Sequence, residues 1–144
     1  MTTFTTSREI AAPMEEVFAA FIDAQRLHRW WGPAGFTNTY AICELKQGGR
    51  WSYTMHGPDG HAYENESVFA AIQPPRRFVI EHVSQPRYRL TIELTASAAG
   101  TLVWWSQAFE SARVGSRLER IVVPANEQNL DRLTAEVLSR RQNA

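Results

Sequence analysis

Residues 48–72 read GGRWSYTMHGPDGHAYENESVFAAI, two strand-like runs joined by Gly57-Pro58-Asp59-Gly60. In the first run Trp51, Tyr53 and Met55 alternate with Arg50, Ser52 and Thr54, the period of a strand with one face toward a core. The Gly-Pro-Asp-Gly string is turn chemistry, because Pro presets φ and Gly accepts positive φ. A hairpin is predicted here, and its neighbours repeat the pattern. Strand candidates lie at 36–45, 49–56, 62–72, 78–83, 88–96 and 101–109, separated by Gly48-Gly49, the 57–60 turn, Pro74-Pro75, Gln85-Pro86 and Ala99-Gly100. Six short strands in succession predict an antiparallel meander.

The flanks differ. Thr2 to Ile10 is Thr-rich and reads as an opening strand. Pro13 starts a helix carrying Val17, Phe18, Phe21 and Ile22 at helical spacing, with Glu15 and Glu16 in its first turn. Asp23 is placed to cap a second short helix ending near Trp30, after which Gly32, Pro33 and Gly35 break regularity. Beyond the meander, Ser111 is placed to cap a turn or two with Val114, Leu118, Ile121 and Val122 on one face, and Pro124 is expected to kink or restart the helix. Leu130, Leu133, Thr134, Val137 and Leu138 then form one stripe, with Asp131, Arg132, Glu136 and Arg140 opposite and pairs Arg132–Glu136 and Glu136–Arg140 expected. The predicted class is α+β. A curved antiparallel sheet of six or seven strands wraps a long C-terminal helix, with two short helices after the first strand, in one domain spanning 1–144. A cavity between sheet and helix is expected.

Hydrophobic residues make up 44% of the chain and charged residues 21%, the proportions of an ordinary globular domain. Fifteen basic side chains balance fifteen acidic ones, which removes the electrostatic ground for nucleic acid or an anionic membrane as partner. A single cysteine, Cys43, excludes an intrachain disulfide. With no signal-like N-terminus and no apolar stretch near the ~20 residues of a membrane span, a cytoplasmic location is expected.

Seven ordered strings carry a family resemblance: Ala12-Pro13-x-x-x-Val17-Phe18, Trp30-Trp31-Gly32-Pro33-x-Gly35-Phe36, Gly48-Gly49-Arg50-Trp51, Gly57-Pro58-Asp59-Gly60, Pro74-Pro75-x-x-Phe78, Phe109-Glu110-Ser111-Ala112 and the run Asn126 to Leu133. Together they span nearly the whole chain, which resembles the activator-of-heat-shock-protein-ATPase homologue family. That family lies within the START-like (SRPBCC) helix-grip superfamily, with the birch-pollen allergen fold and aromatic polyketide cyclases. The resemblance implies a helix-grip scaffold around a cavity, with ligands in the superfamily ranging from lipids and sterols to polyketides. The co-chaperone activity in the family's name looks tied to an additional domain that this chain is expected to lack. Glu44 and Phe78 depart from the family pattern, standing where many relatives carry Asp and Leu. Fold does not fix function.

Five tryptophans give the candidate ligand site its character, since indole rings bury large areas yet keep one N–H donor. Strand alternation turns Trp51, Tyr53, Met55, His82, Trp105 and Gln107 toward the terminal helix, where they either line a cavity or fill a dry core. Trp30 and Trp31 either gate its mouth or plug the helix–sheet junction. Phe36, Phe69, Ile80, Leu133 and Val137 complete the candidate set, while Trp104 is assigned to the outer face, either as a dimer contact or covered by the first helices. Catalytic candidates are weak: His82 as general base, Glu66 (sharing a face with Glu64) and Tyr53. His56 and His61 flank the 57–60 turn, and His28 lies on a helix near Trp31. Metal-binding histidine spacings and phosphate-cradling glycine motifs are missing, so no cofactor and no metal is expected. The expected partner is a small hydrophobic molecule. A polyketide cyclase- or hydrolase-like enzyme and a chaperone-related or homodimeric interaction module are the alternatives.

Overall fold

The computed structural model describes residues 1–142. Strand β1 (Thr2–Ile10) leads into helices α1 (Met14–Ala19) and α2 (Ala24–Trp30). Six strands follow: β2 (Thr37–Cys43), β3 (Arg50–His56), β4 (Ala62–Gln73), β5 (Arg77–His82), β6 (Tyr88–Ala96) and β7 (Thr101–Phe109). Helix α3 (Ala112–Gln142) closes the chain. The strands form one antiparallel seven-stranded sheet in the order β1-β7-β6-β5-β4-β3-β2. Consecutive strands pair across short turns, and β1 joins the last strand. Register slips between Tyr40 and Ile42 and between Phe69 and Ala71 bend the sheet, as an extra residue on one strand does. The curved sheet, α3 and the two early helices make a helix-grip fold.

Alternation predicted the buried face well. Trp51 and Tyr53 are buried while Arg50 is exposed and Ser52 and Thr54 are half-buried. Trp30, Trp51, Trp105, Phe21, Phe69 and Phe78 are among the largest fully buried side chains. Each such ring stabilises the fold by roughly 2–3 kcal/mol through burial alone. Asp23 caps α2 as expected, its Oδ1 accepting from the N–H groups of Gln25 (3.0 Å) and Arg26 (3.3 Å).

Two expectations about α3 are corrected. Pro124 does not restart the helix, which runs unbroken from Ala112 to Gln142 with Pro124 inside it. An exposed proline forfeits one N–H bond but keeps its flanking turns where neighbouring elements hold them. The start of α3 is held by Gly115, where a Cβ would stand 2.7 Å from Thr2 Cβ and 3.1 Å from Phe109 Cβ. Ile121, expected on a packed face, is 66% exposed.

The Arg132–Glu136 pair does not form. Arg132 Nη1 instead donates to the carbonyls of Trp31, Gly32 and Pro33, each at 3.0 Å, and Nη2 to that of Arg29 at 2.6 Å. Glu136 accepts from Arg26 Nε (2.9 Å) and Arg29 Nε (3.0 Å), with Arg140 at 3.6 Å as the expected i,i+4 partner. Arg132 and Glu136 thus form a seam against α2 and the loop after it, while Asp131 and Arg140 stay largely exposed. Burial on its own raises the Glu136 pKa, but hydrogen bonds from Arg29 and Arg26 outweigh it and hold the carboxyl below its ordinary value.

Candidate functional site

Trp31 follows directly on α2, where its N–H still bonds Leu27 O at 3.0 Å, and Gly32 turns the chain away with φ of 95°. Only glycine adopts that conformation without strain. Because successive side chains leave a helix end in different directions, Trp30 and Trp31 part company. Trp30 drives inward, its indole N–H donating to Ala20 O at 2.9 Å and its ring edge-on to Phe21 at 5.0 Å. It is the plug. Trp31 lies over the sheet, edge-on to Trp51 at 5.0 Å and tilted toward Trp105 at 6.2 Å.

Between this loop, the sheet and α3 lies a partly open cavity of about 110 Å³. Its walls are Trp31, Gly32, Pro33, Met55, Tyr88, Leu90, Trp105 and Gln107, and α3 closes it with Ala125, Asn126 and Asn129. Asn126 Nδ2 donates to Gln107 Oε1 at 3.1 Å, and Asn129 Nδ2 donates to Trp30 O at 2.8 Å. The Trp105 indole N–H, buried with its ring, finds no acceptor among the described residues.

Of the candidate ligand residues, the structure brings Trp31, Met55, Trp105 and Gln107 together at this cavity. Trp51 is stacked between Tyr53 (4.0 Å) and Phe69 (5.3 Å), with Ile80, Leu133 and Val137 in the same packed core. Phe36 lies beyond the Gly32 turn and packs on Tyr63 at 6.1 Å. His82 is buried and stacks on Tyr88 at 4.4 Å, so the Tyr88 ring stands between it and the cavity. His82 Nδ1 donates to Pro86 O at 2.7 Å, and Nε2 stands 2.7 Å from Asn65 Oδ1. Burial lowers its pKa, outweighing backbone hydrogen bonds to Pro86 and Ser84 that raise it.

The three catalytic candidates do not share one face: Tyr53 and His82 are buried on the inner side, and Glu66 is outside. Glu66 lies on the outer face of β4, accepting from Ser52 Oγ at 2.8 Å, whereas Ser67 and His82 pair on the inner face. Burial pushes the Tyr53 phenol up to about 12, against polar contacts from Trp31, Ser67 and Tyr88 that act the other way. Ser67 Oγ nevertheless has no partner in full hydrogen-bonding geometry. Tyr88 is pushed well above its ordinary value, by burial first and by Tyr53 beside it second. Both phenols therefore keep their protons and serve as donors, not bases. Burial also raises Cys43 to about 11, which disfavours a thiolate. No group of three His, Cys, Asp or Glu among the described residues could hold a metal ion, and no helix is long and apolar enough to cross a membrane.

Several residues of the site escaped sequence reasoning. Tyr88 and Leu90 belong to the period-two set of β6, whose inward face was legible but unassigned. Asn126 and Asn129 extend the Leu130–Leu133–Val137 stripe back by three or four residues, a helical signal masked by their polarity. His28 is buried, its Nε2 accepting from Trp51 Nε1 at 2.9 Å and its ring stacked on Tyr40 at 4.2 Å. Nothing in its spacing announces that role.

Comparison with known proteins agrees with this architecture. The chain matches the family described as Activator of Hsp90 ATPase homolog 1-like protein over residues 11–137. No curated protein matches it. Among solved structures, a protein of Arthrobacter aurescens superposes with a TM-score of 0.85 at 22% identity, covering 95% of this chain and 86% of that one. A protein of Nitrosomonas europaea gives 0.84 at 16% identity, covering 96% and 95%. An AHSA1-like protein of Aeromonas hydrophila gives 0.76 at 18% identity, covering 97% and 94%. At these identities the likeness establishes the fold alone.

Proposed function

From the premise that the chain belongs to the Activator of Hsp90 ATPase homolog 1-like family, we propose that it binds a small, flat, largely apolar molecule between the sheet and α3. The carrying observation is the cavity of about 110 Å³, walled by the rings of Trp31, Tyr88 and Trp105 and edged by a few amides. Mostly apolar walls with sparse, placed polar groups are the usual make-up of a small-molecule site. Its size selects the ligand. An engineered cavity of about 150 Å³ takes one benzene, so this smaller space rules out a sterol or a lipid tail, and a single ring enters it only in part, from its open side. Binding is favoured over catalysis because Glu66 lies across the sheet from Tyr53 and His82, the buried phenols stay protonated, and the Tyr88 ring separates His82 from the cavity.

The test fills the cavity instead of emptying it. Ala125→Leu adds bulk from the α3 side, and the expected result is loss of the tryptophan-fluorescence change that single-ring ligands cause in the wild type. Retained binding in a folded Ala125→Leu protein places the ligand elsewhere and defeats the proposal. Native mass spectrometry of freshly purified protein checks for a co-purified guest.

A second reading, self-association through the outer face, is favoured by Trp104 and Leu102, 39% and 38% exposed on β7 away from α3. Sedimentation velocity tests it. A dimer dissociated by Trp104→Ser supports the reading, and a monomer in both proteins removes it.

A further inference from the structure

We propose that the first half of α3 is a lid. Lifted about Pro124, it joins two separate spaces into one site for a two-ring aromatic molecule with one uncharged polar group; this rests on the cavity reading above. The helix is anchored unevenly. Of residues 112–124 only Gly115 is buried, whereas Asn129, Leu130, Leu133 and Val137 are buried beyond them. The polar ties divide the same way. Before Pro124 the tie to the sheet is Thr2 Oγ1 donating to Ala112 O at 2.9 Å. After it Asn126 holds Gln107, Asn129 holds Trp30 O, and Arg132 and Glu136 grip α2 and the loop that follows. Proline lacks the N–H that would bond the Arg120 carbonyl, so the rod is weakest where its anchoring changes.

The same half of α3 bridges two gaps. At its start a partly open crevice of about 250 Å³ lies between Gln85, Pro86 and Arg87 on one side and Glu110, Ser111 and Val114 on the other. At its end is the cavity of about 110 Å³, which α3 closes with Ala125, Asn126 and Asn129. Arg87 of the crevice and Tyr88 of the cavity are neighbours in the chain. On α3, Val114 and Ala125 are linked along one helical face by Leu118 and Val122, both half-buried. Those side chains are the partition. The floor beneath is aromatic: Phe109 packs on Tyr88 at 5.4 Å and on Phe4 at 6.1 Å, and Gly115 rests against its Cβ. With the partition raised, rings lie on this floor while a hydroxyl or amide meets the crevice. There Arg87 and Gln85 donate and Glu110 accepts, so opposite charges favour an uncharged group. Binding then draws on a minor open state, and apparent affinity scales with its population.

The probes are phenol, with one ring, and 2-naphthol, with two. Each is titrated by calorimetry into the wild type, Gly115→Ala and Pro124→Ala, and amide exchange of the three proteins is followed by mass spectrometry. Gly115→Ala pushes the lid off Thr2 and Phe109, whereas Pro124→Ala restores the missing helical bond and stiffens the hinge. In the wild type, amides of residues 116–123 are expected to exchange at least about tenfold faster than those of 130–137. Exchange there should quicken in Gly115→Ala and slow in Pro124→Ala. Apparent affinity for 2-naphthol should rise about fivefold in the first variant and fall about fivefold in the second, while that for phenol changes by less than about twofold. A single 2-naphthol affinity in all three proteins, or exchange over 116–123 as slow as over 130–137, overturns the lid. Binding of phenol without 2-naphthol overturns it too and leaves the cavity reading standing. If neither probe binds any of the three at millimolar concentration, the cavity reading falls and this inference falls with it.

Discussion

His28→Phe should both destabilise the protein and flatten its response to mild acid. His28 Nδ1 donates to Ala24 O at 2.5 Å, which fixes the proton on that nitrogen and leaves Nε2 as the acceptor for Trp51 Nε1–H at 2.9 Å. Phenylalanine fills much of the same volume but accepts nothing, so the fully buried Trp51 indole loses its partner. A stranded buried donor costs about 1–3 kcal/mol, and loss of the Ala24 contact adds to it. Protonation of His28 does similar damage, turning the acceptor into a second donor aimed at an N–H. Burial accordingly lowers the folded pKa below the ordinary 6.5, against the bond to Ala24 that raises it.

The sign of the pH effect follows. Between 6.5 and the lowered folded value, the unfolded chain holds a proton that the folded chain refuses, so stability falls as pH drops. Above that window the contribution is fully present, and below it the loss levels off. His82, also lowered, acts in the same direction. Each histidine contributes a slope of at most about 1.4 kcal/mol per pH unit. Urea unfolding at about pH 7.5, 6.5 and 5.5 measures both effects above the range where most carboxylates titrate. A His28→Phe protein that loses less than about 0.5 kcal/mol, or that keeps the wild-type slope, refutes this account of the His28–Trp51 bond.

Other perturbations follow from the same geometry. Glu136→Gln leaves Arg26, whose side chain is 11% exposed, without its carboxylate, and should cost roughly 3 kcal/mol in chemical denaturation. Arg132→Lys keeps the charge but replaces a fork that reaches four carbonyls with a point donor, so the melting temperature should drop and Trp31 fluorescence shift toward that of a more exposed indole. Gly115→Ala normally favours a helix by about 0.5–1 kcal/mol. Here the new Cβ meets Thr2 and Phe109 Cβ atoms at 2.7 and 3.1 Å, so net destabilisation in urea unfolding is expected.

The meander was legible because alternation, turn residues and strand length are local signals. Predicted strand limits agree with the observed ones to within two residues, as in 36–45 against Thr37–Cys43. Asp23 was legible as a cap for the same reason, since a cap acts within three residues. Arg132 and Glu136 were misread because their partners lie about a hundred residues away. Helical spacing placed them on the side opposite the apolar stripe and paired them with each other. In the fold they face α2 and the Trp31–Pro33 carbonyls. His28 failed likewise: nothing in its local sequence says that it faces Trp51 across the core.

The tryptophan pairs carry the same lesson into the site. Richness in indole predicted both a large core and a walled cavity, and the two claims compete for the same rings. Trp30 and Trp51 went to the core, one bonded to Ala20 O and the other stacked between Tyr53 and Phe69. Trp31 and Trp105 were left to bound what space remained. That division explains why the cavity is small although its walls are aromatic. The amides at its edge accordingly come from α3 and from Gln107, while the histidines and carboxylates of the sheet stand elsewhere. Sequence reasoning, which searches for reactive side chains, has no purchase on a space left over where distant elements pack.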